Sequence, residues 1–183
     1  MDPPAEVGYK SSVALDRVRV DWTASAADGV AVWPVYQAVF GDHASFDDWR
    51  HGVWDRHRTR AGFRFARAYD DQDLVGFAYG YTGEVGQWWT DNARQVLEPS
   101  VGAEWLGGHF ELVSVGVLAS ARRAGIGRAL LHALLDGLPH ERLLLMTSDD
   151  ASDPARLLYA CEGWRVIGPG IGDGTVIMGK RTT

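Results

Sequence analysis

The stretch Phe110-Glu-Leu-Val-Ser-Val-Gly-Val-Leu118 is almost uninterruptedly apolar. It runs through Ala119-Ser-Ala-Arg122-Arg123-Ala124-Gly125-Ile126-Gly127-Arg128 into an amphipathic segment that ends near Leu138. A strand without polar alternation is covered on both faces. A short glycine loop that opens a helix presents free N–H groups where the helix dipole favours an anion, and glycine lets a phosphate approach the backbone. Arg122, Arg123 and Arg128 add cations suited to phosphate oxygens. This segment by itself requires a sheet flanked by helices, with an anion site at the end of one strand.

The remaining elements fit such a sheet. Val18-Arg-Val-Asp-Trp22 alternates as a strand does. Between Asp28 and Phe40, Val32, Val35, Tyr36 and Val39 recur at helical spacing, and a second helix is expected over Phe46–Arg60. The period then changes: 63–69 and 74–81 read as a hairpin across Asp70-Asp-Gln-Asp73. Residues 83–108 form a long connection with a short helix near Thr90–Leu97, and a connection of that length is usually functional or mobile. A helix over Ala124–Leu138, stopped by Gly137 and Pro139, precedes a buried strand at Arg142–Thr147. Asp153-Pro154 begins a short helix that sets Cys161 on its buried face. Residues 164–167 and 175–178 form a closing hairpin, whose glycine-rich 168–174 stretch precedes a strand and is therefore a turn. The class is α+β, with a loose tail over 1–12 and one domain over 13–183.

Composition narrows the function. A chain of 183 residues with 46% hydrophobic and 23% charged residues suits one globular domain. A single cysteine excludes a disulfide framework and a cysteine metal cluster. His51/His57 and His132/His140 lack the spacing of a zinc helix, so no metal is expected. A net charge of −6 argues against nucleic acid as a partner. No apolar run nears the ~20 residues of a membrane span, and no basic-then-apolar leader is visible, so no membrane partner and a cytoplasmic location are expected.

Two common phosphate loops fail on this segment. A dinucleotide fingerprint would need a third glycine where Leu130 stands, and a nucleotide-triphosphate loop would end in Gly-Lys-Ser/Thr. Arg122-x-x-Gly125-x-Gly127 instead resembles the coenzyme-A pyrophosphate loop, Gln/Arg-x-x-Gly-x-Gly/Ala, of the GNAT superfamily of N-acetyltransferases. A second stretch, Ser152-Asp-Pro-Ala155-Arg-Leu-Leu158-Tyr159-Ala-Cys-Glu-Gly163-Trp164, is similar to that family's Asn-x-x-Ala-x-x-Leu-Tyr-x-x-x-Gly-Phe. Both lie in order within 110–168; the first half of the chain matches only in element order. Ser152 stands where many members have Asn, and Ser commonly caps a helix.

The resemblance implies a mixed, mostly antiparallel twisted sheet with a central splayed parallel pair, flanked by helices on both faces, with acetyl-CoA as cosubstrate in the splay. The parallel strands would be 110–118 and 142–147. Val115 and Val117 would offer backbone groups to the pantetheine arm, and an amide near Val115 or Gly116 would face the oxyanion. Arg122 and the amides of Arg123, Ala124, Gly125, Ile126, Gly127 and Arg128 would hold the pyrophosphate, with Ser152 and Tyr159 nearby. Direct attack by a primary amine in a ternary complex needs a base and an acid. Tyr159 sits at the family's tyrosine position for protonating the leaving sulfur. Glu111 is the candidate base; the alternative is a strand-end glutamate facing solvent or pairing with an arginine. Glu84, Glu104 and His109 are weaker candidates.

The acceptor is expected to be a small-molecule or peptide amine. Trp88, Trp89 and Trp105 with Glu84, Asp91 and Glu104 would suit a cationic amine with an apolar body. A non-catalytic acyl-CoA-binding or regulatory module is the competing class, since it would keep the Arg122 loop and lack an effective base. The edges of a short sheet would permit a homodimer.

Overall fold

The computed structural model describes residues 18–182, so the tail expected over 1–12 lies outside the described residues. Among the described residues, seven strands form one sheet in the order β1-β2-β3-β4-β5-β7-β6. They are β1 (Val18–Asp21), β2 (Arg64–Asp70), β3 (Asp73–Gly83), β4 (His109–Val117), β5 (Arg142–Ser148), β6 (Arg165–Pro169) and β7 (Thr175–Arg181). Every neighbouring pair is antiparallel except β4 and β5. That parallel pair is joined only at Phe110↔Leu143 and Glu111↔Leu144. Beyond those residues the two strands part, as the expected splay requires.

One face of the sheet carries α6 (Ile126–Leu135) and α7 (Pro154–Cys161). Leu130, Leu131 and Leu134 of α6 meet Ala66, Ala78, Leu112, Leu143 and Leu145 in one buried cluster. The stripe is the 3, 4 spacing of an amphipathic helix laid against a sheet. The opposite face carries α1 (Ala26–Val39), which Ser25 and Asp28 cap reciprocally. There α2 (Phe46–Trp49) passes through a π-helical turn (Arg50–Trp54) into α3 (Asp55–His57), so the helix expected over 46–60 is shorter and changes pitch. The extra residue of a π turn lets both Trp49 and Trp54 face the core, stacked 5.5 Å apart. Gly29 of α1 is required by that packing: a Cβ there would lie 2.6 Å from the Trp54 indole.

The long connection after β3 is ordered as two short helices, α4 (Trp88–Val96) and α5 (Pro99–Trp105). With Leu144 and Ile177 they bury a third cluster, on the same face as α1. Trp89 is buried there, whereas Trp88 at the start of α4 is 63% exposed. The fold thus has helices on both faces, and among the described residues no helix is long and apolar enough to cross a membrane.

Candidate active site

The splay lies where β4 hands over to the Arg122 loop. The pairing of β3 with β4 runs Tyr79↔Ser114 and then Gly80↔Leu112, so Val113 is the extra residue of a β-bulge. Leu118 N–H donates to the Val75 carbonyl on β3 at 2.9 Å. Backbone groups alternate along a strand, so those of Val115 and Val117 face the gap toward β5, and those of Gly116 face β3. Of the two amides expected for the oxyanion, the Gly116 amide is therefore turned away and the Val115 amide remains. Gly116 is fixed in its place by packing, since a Cβ there would lie 2.9 Å from the Phe77 ring.

The loop turns into α6 through two residues in the left-handed region, Arg123 at φ 62° and Gly125 at φ 80°. Gly125 is the N-cap of α6, and its carbonyl receives the first helical bond from Ala129 N–H at 3.0 Å. The amides of residues 123–128 donate to no backbone carbonyl among the described residues. They are free donors at the start of a helix, the chemistry that a pyrophosphate fits. The arginines behave differently from one another. Arg122 Nε donates to the Val117 carbonyl at 3.1 Å, which ties the loop to the strand end. Arg128 pairs with Glu162 at 2.7 Å, so it offers the loop an amide while its charge is engaged at the end of α7. Arg123 is exposed and has no ion-pair partner among the described residues.

Ser152 does not cap α7. Asp153 does, accepting from Ala155 and Arg156 N–H at 2.9 and 3.1 Å, while Ser152 Oγ donates to Asp150 at 2.7 Å. The carboxylate, one residue closer to the first turn, is the stronger acceptor there. Cys161 is exposed, a correction to its expected burial: α7 turns only Tyr159 fully inward. Tyr159 sits on the α6 face against Trp164, ring centroids 6.1 Å apart. Burial holds its hydroxyl up to about 12, so it is protonated throughout the neutral range.

Glu111 is on the other face, one residue before the strands part. It is 3% exposed, so the solvent-facing alternative fails, and it forms no ion pair with an arginine among the described residues. Tyr81 O–H donates to Oε1 at 3.3 Å, and Oε2 is buried without a partner. Burial pushes the carboxyl up to about 8, opposed by the Tyr81 hydrogen bond and the nearby Arg60 charge. Arg60 lies 5.0 Å over the Tyr81 ring, and the His57 ring meets the same tyrosine edge-on at 5.2 Å. His57 Nδ1 lies 3.1 Å from the Tyr79 hydroxyl; burial, then Arg60 and Arg56, hold it down to about 4, so it is neutral.

The weaker candidates are placed elsewhere. His109 Nδ1 accepts from Gly107 N–H at 3.1 Å, and burial holds the ring down to about 3 in the core beside Trp89. Glu104 pairs with Arg181 at 2.6 Å, and Arg181 in turn lies 5.1 Å over Trp105. Asp91 accepts from Gly86 N–H at 2.9 Å. The aromatic and acidic groove expected for the acceptor is thereby reduced to Trp88 and Glu84, which remain exposed. Among the described residues no group of histidine, cysteine or carboxylate side chains is arranged to hold a metal.

The model of the Acetyltransferase (GNAT) family matches residues 30–163, most of the chain and the whole of this site. The chain belongs to the GNAT acetyltransferase family. It is 33% identical over 88 residues to the GCN5-like protein acetyltransferase Rv2170 of Mycobacterium tuberculosis, a match that spans 45% of this chain and 43% of that protein. Among solved structures, an acetyltransferase from Thermus thermophilus superposes with a TM-score of 0.65 at 13% identity, covering 93% of this chain and all of the other. The PaiA N-acetyltransferase from Thermoplasma acidophilum, solved in complex with coenzyme A, superposes with a TM-score of 0.60 at 15% identity over 90% and 99% of the two chains.

GNAT acetyltransferases draw the acetyl group from acetyl-CoA, and this chain's residues fit that cosubstrate. The edge of β4 at Val115 and Val117 pairs with no neighbouring strand, Arg122 Nε alone reaching the Val117 carbonyl; it matches the amides of a pantetheine arm, and the undonated amides of 123–128 match a pyrophosphate. Sequence reasoning missed Tyr81, His57 and Arg60. Tyr81 lies opposite Glu111 in the β3–β4 register, a relation between distant residues that no local pattern encodes.

Proposed function

We propose that this chain transfers an acetyl group from acetyl-CoA to a primary amine by direct attack within a ternary complex. The observation that carries the reading is the juxtaposition at the splay. An open β4 edge continues into a ring of undonated amides on one side, and a buried, half-satisfied carboxylate lies one residue before the gap on the other. Acetyl-CoA, when bound, supplies the reactive thioester. Glu111 acts in its ionised form, a minority at pH 7 and the majority above about pH 8; it takes the proton that the amine nitrogen sheds as its bond to the acetyl carbon forms, and then releases it to solvent. The Val115 amide faces the carbonyl oxygen, where a fixed donor stabilises developing charge. Tyr159 gives a proton to the sulfur as the carbon–sulfur bond breaks, and recovers it from solvent. Glu111 and Tyr159 lie on opposite faces of the sheet, which separates the proton taken from nitrogen from the one given to sulfur. An intact carboxylate and tyrosine also favour an enzyme over a binding module.

The test is thermal unfolding with acetyl-CoA, with CoA, and with NADH as a control, followed by a free-thiol assay with a panel of amines. A ligand at about 100 times its Kd adds about 2.7 kcal/mol, or roughly 5–10 °C for a chain of this size. A shift with the CoA compounds alone, plus amine-dependent thiol release, is expected. Absence of a shift at saturation refutes the cosubstrate site, and a shift without amine-dependent release favours the module.

A further inference from the structure

The corner where α3 ends carries two arginines four residues apart, Arg56 and Arg60, that have no acidic partner among the described residues. Their neighbours are matched: Arg58 pairs with Asp55 at 2.9 Å, and Arg50 with Asp47 at 3.4 Å. Other arginines without an acidic partner, such as Arg122 and Arg123, stand exposed at the surface. Arg60 is by contrast half-buried, with Nε shielded from solvent and without a hydrogen-bond partner. Its guanidinium carbon lies 5.0 Å over the Tyr81 ring, the same ring whose hydroxyl contacts Glu111. Among the described residues no hydrogen bond engages its guanidinium, and the N–H donors of an arginine match a carboxylate bidentately. The other titratable groups near this corner are His57, which is neutral at pH 7, Tyr79 and Tyr81, whose hydroxyls burial keeps protonated, and Glu111 beyond Tyr81, which burial keeps largely protonated at pH 7. No ion pair among the described residues neutralises Arg60 there.

We propose that Arg60, supported by Arg56, is the specificity residue that grips a carboxylate on the acceptor, so that the acylated amine belongs to an amino acid or a comparable small amino-carboxylate. The inference rests on the acetyl-transfer reading above and adds the class of acceptor. Arg60 and Glu111 are separated by one tyrosine ring. A small molecule that bears both an amine and a carboxylate bridges that interval, with the carboxylate on Arg60 and the amine turned to Glu111. A simple amine would leave the guanidinium unpaired.

The experiment measures thiol release from acetyl-CoA with each amino acid beside its own carboxamide, in the wild type, Arg60→Gln and Arg60→Lys. Comparing acid with amide inside one protein cancels any effect of the lost charge on Glu111. Expected is at least one acid preferred over its amide by about tenfold or more in kcat/KM. The preference should reside in KM, collapse below threefold in Arg60→Gln and return in part in Arg60→Lys. Amides turned over as well as acids, a preference that survives Arg60→Gln, or turnover confined to peptides would each overturn the inference. So would acetyl-CoA binding with no amino acid accepted. A protein that shows no thermal shift with acetyl-CoA fails at the earlier reading instead, so the two failures are separate.

Discussion

Replacing Glu111 by Gln removes a buried carboxyl whose protonation is coupled to folding. The unfolded chain releases this proton near 4.5, whereas the folded chain keeps it until about pH 8. Across that window the unfolded state binds fewer protons, so stability falls as pH rises. At about 1.4 kcal/mol per tenfold change in proton affinity, the full displacement amounts to roughly 4–5 kcal/mol. The assay is urea unfolding of wild type and Glu111→Gln at pH 5, 6, 7, 8 and 9. The variant's stability relative to wild type should climb by about 1.4 kcal/mol per pH unit and level off above pH 8. A constant offset from the extra amide protons of Gln is expected and does not alter the trend. His57 and His109, held down to about 4 and about 3, act with the opposite sign. They stay neutral in the fold while the unfolded chain protonates them below 6.5, so they remove stability as pH falls. Both variants contain them, and they cancel in the difference. A difference that stays flat between pH 5 and 8 refutes the reading of Glu111 as a carboxyl held protonated by burial.

Three further outcomes follow from the site. Tyr159→Phe should lower kcat on the order of 10²-fold while leaving KM for acetyl-CoA within threefold; an unchanged kcat in the thiol assay removes Tyr159 as the acid. Gly125→Ala forces a side chain into φ 80°, and should cost about 1 kcal/mol of stability and shrink the acetyl-CoA thermal shift. Arg128→Ala should leave acetyl-CoA affinity within about threefold, because its charge already pairs with Glu162 and only its amide faces the loop; Arg123→Ala should weaken binding more, and the reverse order in titration calorimetry contradicts this division of roles.

The parts of this molecule that were legible in its sequence are those whose causes are local. The Gly125 turn, the stripe of α6 and the apolar run of β4 each depend on neighbours within one or two turns of chain, and each appears where its pattern places it. Helix α5 was not legible, because Pro99–Trp105 is short, contains Gly102, and is held by packing against β5 and β7 rather than by periodicity. The cap of α7 was misassigned by one residue because Ser and Asp are both good caps, and only the geometry of the turn chooses Asp153. Glu111 could be singled out as a carboxylate on an apolar strand, but its burial, its contact with Tyr81 and the neighbourhood of Arg60 depend on β3–β4 register and on the end of α3. The tryptophans were the least reliable guide. Of the three expected in the groove, Trp89 is core, Trp105 supports an ion pair, and Trp88 alone is largely exposed.

The parting of β4 from β5 also divides the molecule mechanically. Strands β1 to β4 form one antiparallel panel and β5, β7 and β6 another, and only two register pairs stitch them together. What else spans the seam is packing, chiefly α6 against Leu143, Leu145 and Met178, and the Arg142 bonds to the Glu104 and Gly107 carbonyls. No other neighbouring pair in the sheet is held by so few register pairs. An extended ligand laid along the β4 edge would act as the missing rungs, so occupancy of the slot and stiffness of the whole sheet become one property.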